Sequence, residues 1–290
     1  MDGARISSTE NYFNSKFSVG SSSSEVLDGS SSGMETYTVV MMRHGSSELN
    51  DQNVFASWFD TKLSQDGKKD ARRAGRLLKE AGLQFDVAFT SVLSRARDSL
   101  AAVLEELGQP RLPVLASWRL NERHYGALIG RNRDDAAAEF GEEQVQVWRR
   151  SYTATPPPMT PDHPFHDAVV CNPIYAAGPS PGEFPSAESL EATVARTLPY
   201  WKDTILPRVL AGQRVLVCAH GNSLRGLAKH LGGLTDEQVV SLDVPTAEPF
   251  AYELDAGGRA VGPLRFLAEE EKVMAARSAI SDLIKAAVPE

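Results

Sequence analysis

The chain has 290 residues, 42% of them hydrophobic and 23% charged, with a formal net charge of −8 at pH 7. That apolar content builds a core, which excludes a disordered, collagen-like or coiled-coil chain, and no apolar run of about 18 residues offers a membrane span. The negative balance argues against a nucleic-acid or membrane-surface partner, since both want a basic face, and two cysteines (Cys171 and Cys218) make neither a disulfide framework nor a thiolate metal site.

Residues 1–33 read as a disordered extension. Eleven of the first 32 residues are serine, too polar a stretch to offset its ordering entropy. It has neither the apolar stretch of a signal peptide nor the basic character of a mitochondrial presequence, so a cytoplasmic location is expected. The folded domain is expected over 34–290. Tyr37–Met42, β-branched and apolar, predicts a first strand that runs into Arg43-His44-Gly45. Ser64 is a candidate N-cap, and Ala71, Ala74, Leu77, Leu78 and Ala81 form one helical face ending at Gly82. A strand over Phe85–Thr90, a helix over Val92–Leu107 and a short strand over Leu112–Ala116 follow. Between Asn121 and Ser186 the periodicity weakens and prolines accumulate, which predicts a long irregular insertion beside the active site. Arg214–Ala219 reads as a fully buried strand followed by His220-Gly221, Phe250–Leu254 as a last strand, and 268–287 as a closing helix. Strands alternating with helices imply a three-layer α/β fold, a mostly parallel sheet with helices on both faces.

The chemical signal is a repeated corner: an apolar strand, then His-Gly, then a polar turn. One such pair is most simply a histidine satisfying local backbone. Two at matched strand ends, with Arg43 beside the first, would converge where open α/β sheets bind ligands. A neutral imidazole attacks phosphorus near neutral pH and leaves readily once phosphorylated, so His44 and His220 suggest phosphoryl chemistry. His163 and His166 flank Pro164 in the proline-rich stretch and read as a solvated loop, and no zinc-type ligand spacing occurs, so no metal is expected.

Several stretches carry a family resemblance. These are Arg43-His44-Gly45, Phe89-Thr90-Ser91-Val92 with Arg95, the nine-residue run Trp118–Gly126, Trp148–Tyr152, Pro156–Met159, and His220-Gly221-Asn222-Ser223-Leu224-Arg225-Gly226. Together, from about Tyr37 to Phe266, they resemble the cofactor-dependent phosphoglycerate mutases of the histidine phosphatase superfamily. The resemblance implies His44 as phosphohistidine nucleophile, Glu122 as proton-transfer carboxylate and His220 as a phosphate-stabilising residue. It implies Arg43 and Arg95 on the transferring phosphoryl group, and Arg123, Tyr125, Arg133, Arg149 and Arg150 on the other phosphate and the carboxylate of a phosphoglycerate. Ser47, Asn50, Ser57, Gly221 and Asn222 complete the expected substrate contacts. Six arginines are thus expected to face one small trianion. The resemblance further implies 2,3-bisphosphoglycerate as priming donor, no metal, and a homodimer or larger homo-oligomer.

The sequence also departs from that family. Ser46 stands where glutamate is usual, Leu49 where an aromatic precedes the asparagine, Ala56-Ser57 where Ser-Gly precedes the tryptophan, and Arg133 where lysine is usual. Asn172-Pro173-Ile174-Tyr175 replaces a basic stretch. Ser57-Trp58, Arg133 and Arg259–Pro263 are similar to the bisphosphoglycerate mutase branch, whereas Ser47 is similar to the ordinary mutases. The first reading is therefore interconversion of 3- and 2-phosphoglycerate. The alternatives are a bisphosphoglycerate mutase or a phosphatase of the same fold, and, remotely, a non-catalytic scaffold.

Overall fold

In the computed structural model, residues 35–268 are described; the serine-rich extension and all but the first residue of the expected closing helix lie outside them. The elements run β1 (Tyr37–Arg43), α1 (Glu48–Asp51), α2 (Gln65–Glu80), β2 (Val87–Thr90), α3 (Ser94–Leu107), β3 (Val114–Ala116), α4 (Arg133–Phe140), α5 (Glu142–Arg150) and α6 (His166–Val170). Then come α7 (Leu190–Tyr200), α8 (Leu206–Leu210), β4 (Val215–Ala219), α9 (Gly221–Gly232), α10 (Asp236–Ser241), β5 (Phe250–Leu254) and β6 (Arg265–Phe266). One turn of π-helix, Trp201–Ile205, joins α7 to α8.

The strands form one sheet in the order β3-β2-β4-β1-β5-β6. The first four are mutually parallel, β5 is antiparallel to β1, and β6 is antiparallel to β5. Alternation along each strand divides the core in two, because successive side chains leave opposite faces of the pleat. Val39, Met41, Val87, Phe89, Val215 and Val217 face Trp201, Ile205, Val209, Leu224 and Leu227. Val40, Met42, Ala88, Leu216 and Cys218 face Ala74, Leu78, Leu100 and Val103. Helices α2 and α3 therefore cover one face, and α7 to α9 the other. This is the expected three-layer fold with a mixed edge: β6, too short and polar to stand out in the sequence, was not anticipated. Ser64 does cap α2, accepting from the Gly67 amide at 3.1 Å.

The stretch 121–186 is more ordered than its prolines suggest. It holds α4, α5 and α6, with Asn132 capping α4 through the amides of Asp134 and Asp135. Among the described residues no helix is long and apolar enough to cross a membrane.

Candidate active site

Strand register brings the two His-Gly corners together. In the parallel β1–β4 pair Arg43 lies opposite Ala219, so the next residues, His44 and His220, emerge side by side, and the His44 amide donates to the Ala219 carbonyl at 3.0 Å. Their ring centroids are 4.8 Å apart, edge to face. On the other flank of β4, Thr90 pairs with Cys218, which brings Ser91 to His220, its Oγ 2.7 Å from Nε2. The Nδ1 atom of His220 is buried without a partner.

His44 is held in one tautomer. Its Nδ1 lies 2.6 Å from the Gly45 carbonyl, and because a carbonyl only accepts, Nδ1 carries the proton and Nε2 keeps its lone pair. Burial, then the charges of Arg95 and Arg43, hold the His44 pKa well below that of a free histidine. Both effects keep it neutral, the form in which an imidazole can act as a nucleophile. The corner itself requires glycine: a Cβ on Gly45 would lie 2.2 Å from the Gly67 carbonyl oxygen, where α2 begins. The Gly45 amide donates to Ser99 of α3 at 2.9 Å, so both helices of that face brace the loop.

Arg95 is buried in the first turn of α3. Its Nη2 and Nη1 donate to the Ser57 and Phe59 carbonyls at 2.7 and 3.1 Å, and its Nε donates to His44 Nε2 at 3.3 Å. Burial lowers its pKa to about 10, which still leaves it charged at neutral pH. Asp60 caps the same helix through the Ser94 amide and hydroxyl, both at 2.7 Å, which fixes the loop against the arginine it supports.

Glu122 closes the site from the loop after β3. Its Oε1 accepts from the Arg123 amide at 2.8 Å, the Asn222 amide at 3.1 Å and the Asn222 side chain at 2.7 Å. All three donors fall on one oxygen, and Oε2 is left toward Arg43 and Gly221. Burial alone would raise the Glu122 pKa, but Arg43, the Arg123 amide, Asn222 and Arg95 outweigh it and hold the carboxyl below its ordinary value.

These groups line a cavity of about 140 Å³ with Arg43, Asn50, Ser57, Arg95, Tyr125 and Asn222 in its wall, and Arg133, Arg149, Arg150, Arg225 and Asp243 around it. Asn50 turns its Oδ1 to the Ser47 amide and hydroxyl, leaving its amide nitrogen toward the cavity. Ser57 has φ of 50°, a left-handed conformation costly for a residue with a Cβ. Its hydroxyl donates to the Arg123 carbonyl at 2.9 Å and accepts from the Tyr125 amide at 2.7 Å.

The structure also redistributes the expected contacts. Ser47 is fully buried as the N-cap of α1 and does not line the cavity. Arg123 is fully buried behind the wall, its guanidinium 4.3 Å from the Tyr125 ring, with Nη2 donating to the Tyr125 hydroxyl at 2.6 Å and the Arg149 carbonyl at 3.1 Å. Nη2 thus supports Tyr125, Nε and Nη1 are buried without a partner, and Arg123 does not line the cavity. Its place among the six arginines is taken by Arg225, which sequence reasoning passed over. Arg225 donates Nε to the Leu242 carbonyl at 2.7 Å and Nη1 to Asn222 Oδ1 at 3.2 Å, and burial lowers its pKa to about 10. The available signal was helical spacing: Arg225 lies three residues beyond Asn222 on α9 and so shares its face. His163 lies within reach of the Ala127 carbonyl, and among the described residues no three His, Cys, Asp or Glu side chains cluster as metal ligands would.

Residues 39–168 match the family model described as the histidine phosphatase superfamily (branch 1). Among the solved structures that share the fold are the following three. A mycobacterial glucosyl-3-phosphoglycerate phosphatase is 21% identical with a TM-score of 0.60, covering 80% of this chain and 97% of its own. A mycobacterial hydrolase is 22% identical with a TM-score of 0.60, covering 80% and 97%. The α-ribazole phosphatase of Shigella flexneri is 20% identical with a TM-score of 0.58, covering 80% and 98%.

Proposed function

We propose that this chain is a histidine phosphatase superfamily enzyme that moves the phosphoryl group of a small, multiply anionic phosphate ester through phospho-His44. The carrying observation is the single lone pair of His44: Nδ1 is committed to the Gly45 carbonyl, and Nε2, which accepts from Arg95 Nε at 3.3 Å, belongs to a residue lining a cavity walled by Arg43, Arg95 and Glu122. In the first step Nε2 attacks phosphorus, the bond to the ester oxygen breaks, and that oxygen leaves with a proton from Glu122. In the second, an acceptor O–H gives its proton to Glu122 and its oxygen attacks phosphorus, returning the electron pair to Nε2. Arg43 and Arg95 neutralise the transferring oxygens and the neutral His220 ring donates a hydrogen bond to them, which is most of what phosphoryl transfer asks of a protein. Because Arg43 is the largest charge depressing Glu122, a bound phosphoryl dianion offsets that field and favours the protonated acid the first step needs.

The acceptor decides the activity. Two of the structural relatives are phosphatases by name, which supports water as acceptor and hence hydrolysis of a phosphate monoester. Mutase turnover is the second reading, favoured by the grouping of Arg133, Arg149, Arg150 and Arg225 in the same cavity as Arg43 and Arg95. Such a cavity fits 2,3-bisphosphoglycerate: Arg43 Nε is buried without a partner, ready for one phosphate, and the outer arginines suit the other phosphate and the carboxylate. When bound, that molecule supplies the phosphoryl group that loads His44.

Incubation with 3-phosphoglycerate, with and without catalytic 2,3-bisphosphoglycerate, tests both. Release of inorganic phosphate independent of the bisphosphate supports the phosphatase. Formation of 2-phosphoglycerate only in its presence supports the mutase. Either requires acid-labile phosphate on the wild-type protein and none on His44→Ala; labelling that survives the substitution refutes the proposal.

A further inference from the structure

Glu122 stands on a loop with little regular structure of its own, yet its backbone is held by several side chains. The ties come from outside the cavity. Arg196 of α7 donates Nη1 to the Arg119 carbonyl at 2.9 Å and Nη2 to the Asn121 and Glu122 carbonyls at 3.1 and 2.8 Å. The Trp58 indole donates to the same Glu122 carbonyl at 2.6 Å, and Thr197 donates to the Arg119 carbonyl at 3.0 Å. Arg196 is itself fixed by Glu188, whose Oε1 and Oε2 take Nε at 2.6 Å and Nη2 at 3.0 Å in a fork. Glu188 Oε2 also accepts the His124 amide at 2.8 Å. One buried ion pair, its side chains 8% and 5% exposed, thus grips the loop on both sides of Glu122.

A buried ion pair is a weak device for stability alone, because desolvation consumes most of its attraction. This one directs Nη1 and Nη2 to three carbonyls of a single loop, those of Arg119, Asn121 and Glu122. We infer that Arg196 and Glu188, with the Trp58 indole, are positioning residues for proton transfer: they set where the Glu122 carboxyl sits relative to the ester oxygen, without touching substrate. The inference rests on Glu122 being the proton-transfer group. The Arg196 grip acts through backbone, so weakening it displaces the carboxyl by a fraction of an ångström while leaving His44, Arg43 and Arg95, which stand on other elements, in place. Displacements of about 1 Å cost on the order of 100-fold in rate.

The test compares leaving groups. Phosphoglycerate releases glycerate, an alkoxide leaving group that needs a proton, whereas p-nitrophenyl phosphate releases p-nitrophenolate, which does not. Arg196→Lys keeps the charge beside Glu188 but loses the fork, and Trp58→Phe keeps the ring but loses the N–H. Each is made alone and in a Glu122→Gln background, with thermal unfolding checked. The expected result is a roughly 10- to 100-fold fall in kcat on phosphoglycerate with KM little changed, no change in the p-nitrophenolate burst that accompanies His44 loading, and no further fall in the Glu122→Gln background. Equal losses on both substrates, additive losses in the double variants, or an unaffected kcat would overturn the inference and leave the role of Glu122 standing. Full activity of Glu122→Gln itself would remove that role and the inference together.

Discussion

At the scale of single residues, Arg123 and Arg225 exchange parts. Both carry the same charge, but Arg123 is fully buried and commits only Nη2, to Tyr125 and the Arg149 carbonyl, leaving Nε and Nη1 buried without a partner, while half-buried Arg225 lines the cavity. A run as specific as Trp118–Gly126 names its members without saying which way each one points. Glu122 turns toward the phosphoryl corner and its neighbour Arg123 turns behind the wall. Ser47 shows the same limit, since a serine beside a catalytic corner is equally an N-cap and here is one. Substitution separates these roles. Arg225→Gln is expected to raise KM for a phosphorylated carboxylate about 10- to 100-fold, the cost of one charged hydrogen bond of about 1.5–3 kcal/mol, with little change in unfolding temperature. Arg123→Gln is expected to lower the unfolding temperature by several degrees, because it strips Tyr125 of the charge it stacks on. Steady-state kinetics and a thermal melt on the two variants check this, and a KM effect confined to Arg123 would reverse the assignment.

At the scale of elements, what was legible in the sequence was what periodicity writes. The strands β1, β2, β4 and β5, the capped helix α2 and the two His-Gly corners all follow from alternation, burial and punctuation. The sheet's mixed edge and the helices α4 to α6 were not legible, since two-residue β6 has no period to detect and α4 spreads its apolar side chains around the axis. The Arg196–Glu188 grip was invisible for another reason: its partners are backbone carbonyls more than 70 positions away, and a carbonyl has no letter in a sequence. The meeting of α2 with the first corner is a contact of that kind. Gly45 and Gly67 touch backbone to backbone, and a Cβ on Gly67 would sit 1.9 Å from the Ser46 carbonyl oxygen, closer than any real contact. Gly67→Ala is a favourable change by helix propensity, about 1 kcal/mol in a free helix. Here it must push α2 off the loop, so it is expected to destabilise the fold by about 2 kcal/mol or more and to cut phosphate loading of His44 at least tenfold. Urea denaturation and phosphohistidine labelling check both halves; a stabilised, fully labelled variant would mean that the helix and the corner are not coupled.

At the scale of the whole molecule, an acidic chain of net charge −8 encloses a cavity lined by six arginines and two carboxylates, so the overall sign says nothing about what the site binds. The same concentration of positive charge sets the pH response of the fold. His44 and His220 are buried beside Arg95 and Arg43, and burial with the charge of Arg196 lowers the His124 pKa to about 3. An unfolded histidine titrates near 6.5, so below that pH the unfolded chain takes up protons that the folded protein refuses. Stability is therefore fully present above about 6.5 and lost as pH falls, for His124 across the window from about 6.5 down to about 3. Each such histidine costs up to about 1.4 kcal/mol per pH unit, and three together threaten a domain whose total stability is of the order of 5–15 kcal/mol. The expected result is a urea midpoint that falls steeply between pH 6.5 and 5, where ordinary carboxylates remain largely ionised in both states. His124→Asn, which keeps a side-chain acceptor for the Gly126 amide that His124 Nδ1 now takes at 3.1 Å, is expected to remove about one proton from that dependence. Phosphate should act in the same direction by a different route. An anion between Arg43 and Arg95 offsets the charges that oppose protonation of His44, raising its pKa and making stability less sensitive to acid. Titration of the urea midpoint against pH, with and without saturating phosphate, measures both effects, and a midpoint flat from pH 6.5 to 5 would show that the buried histidines are not held neutral.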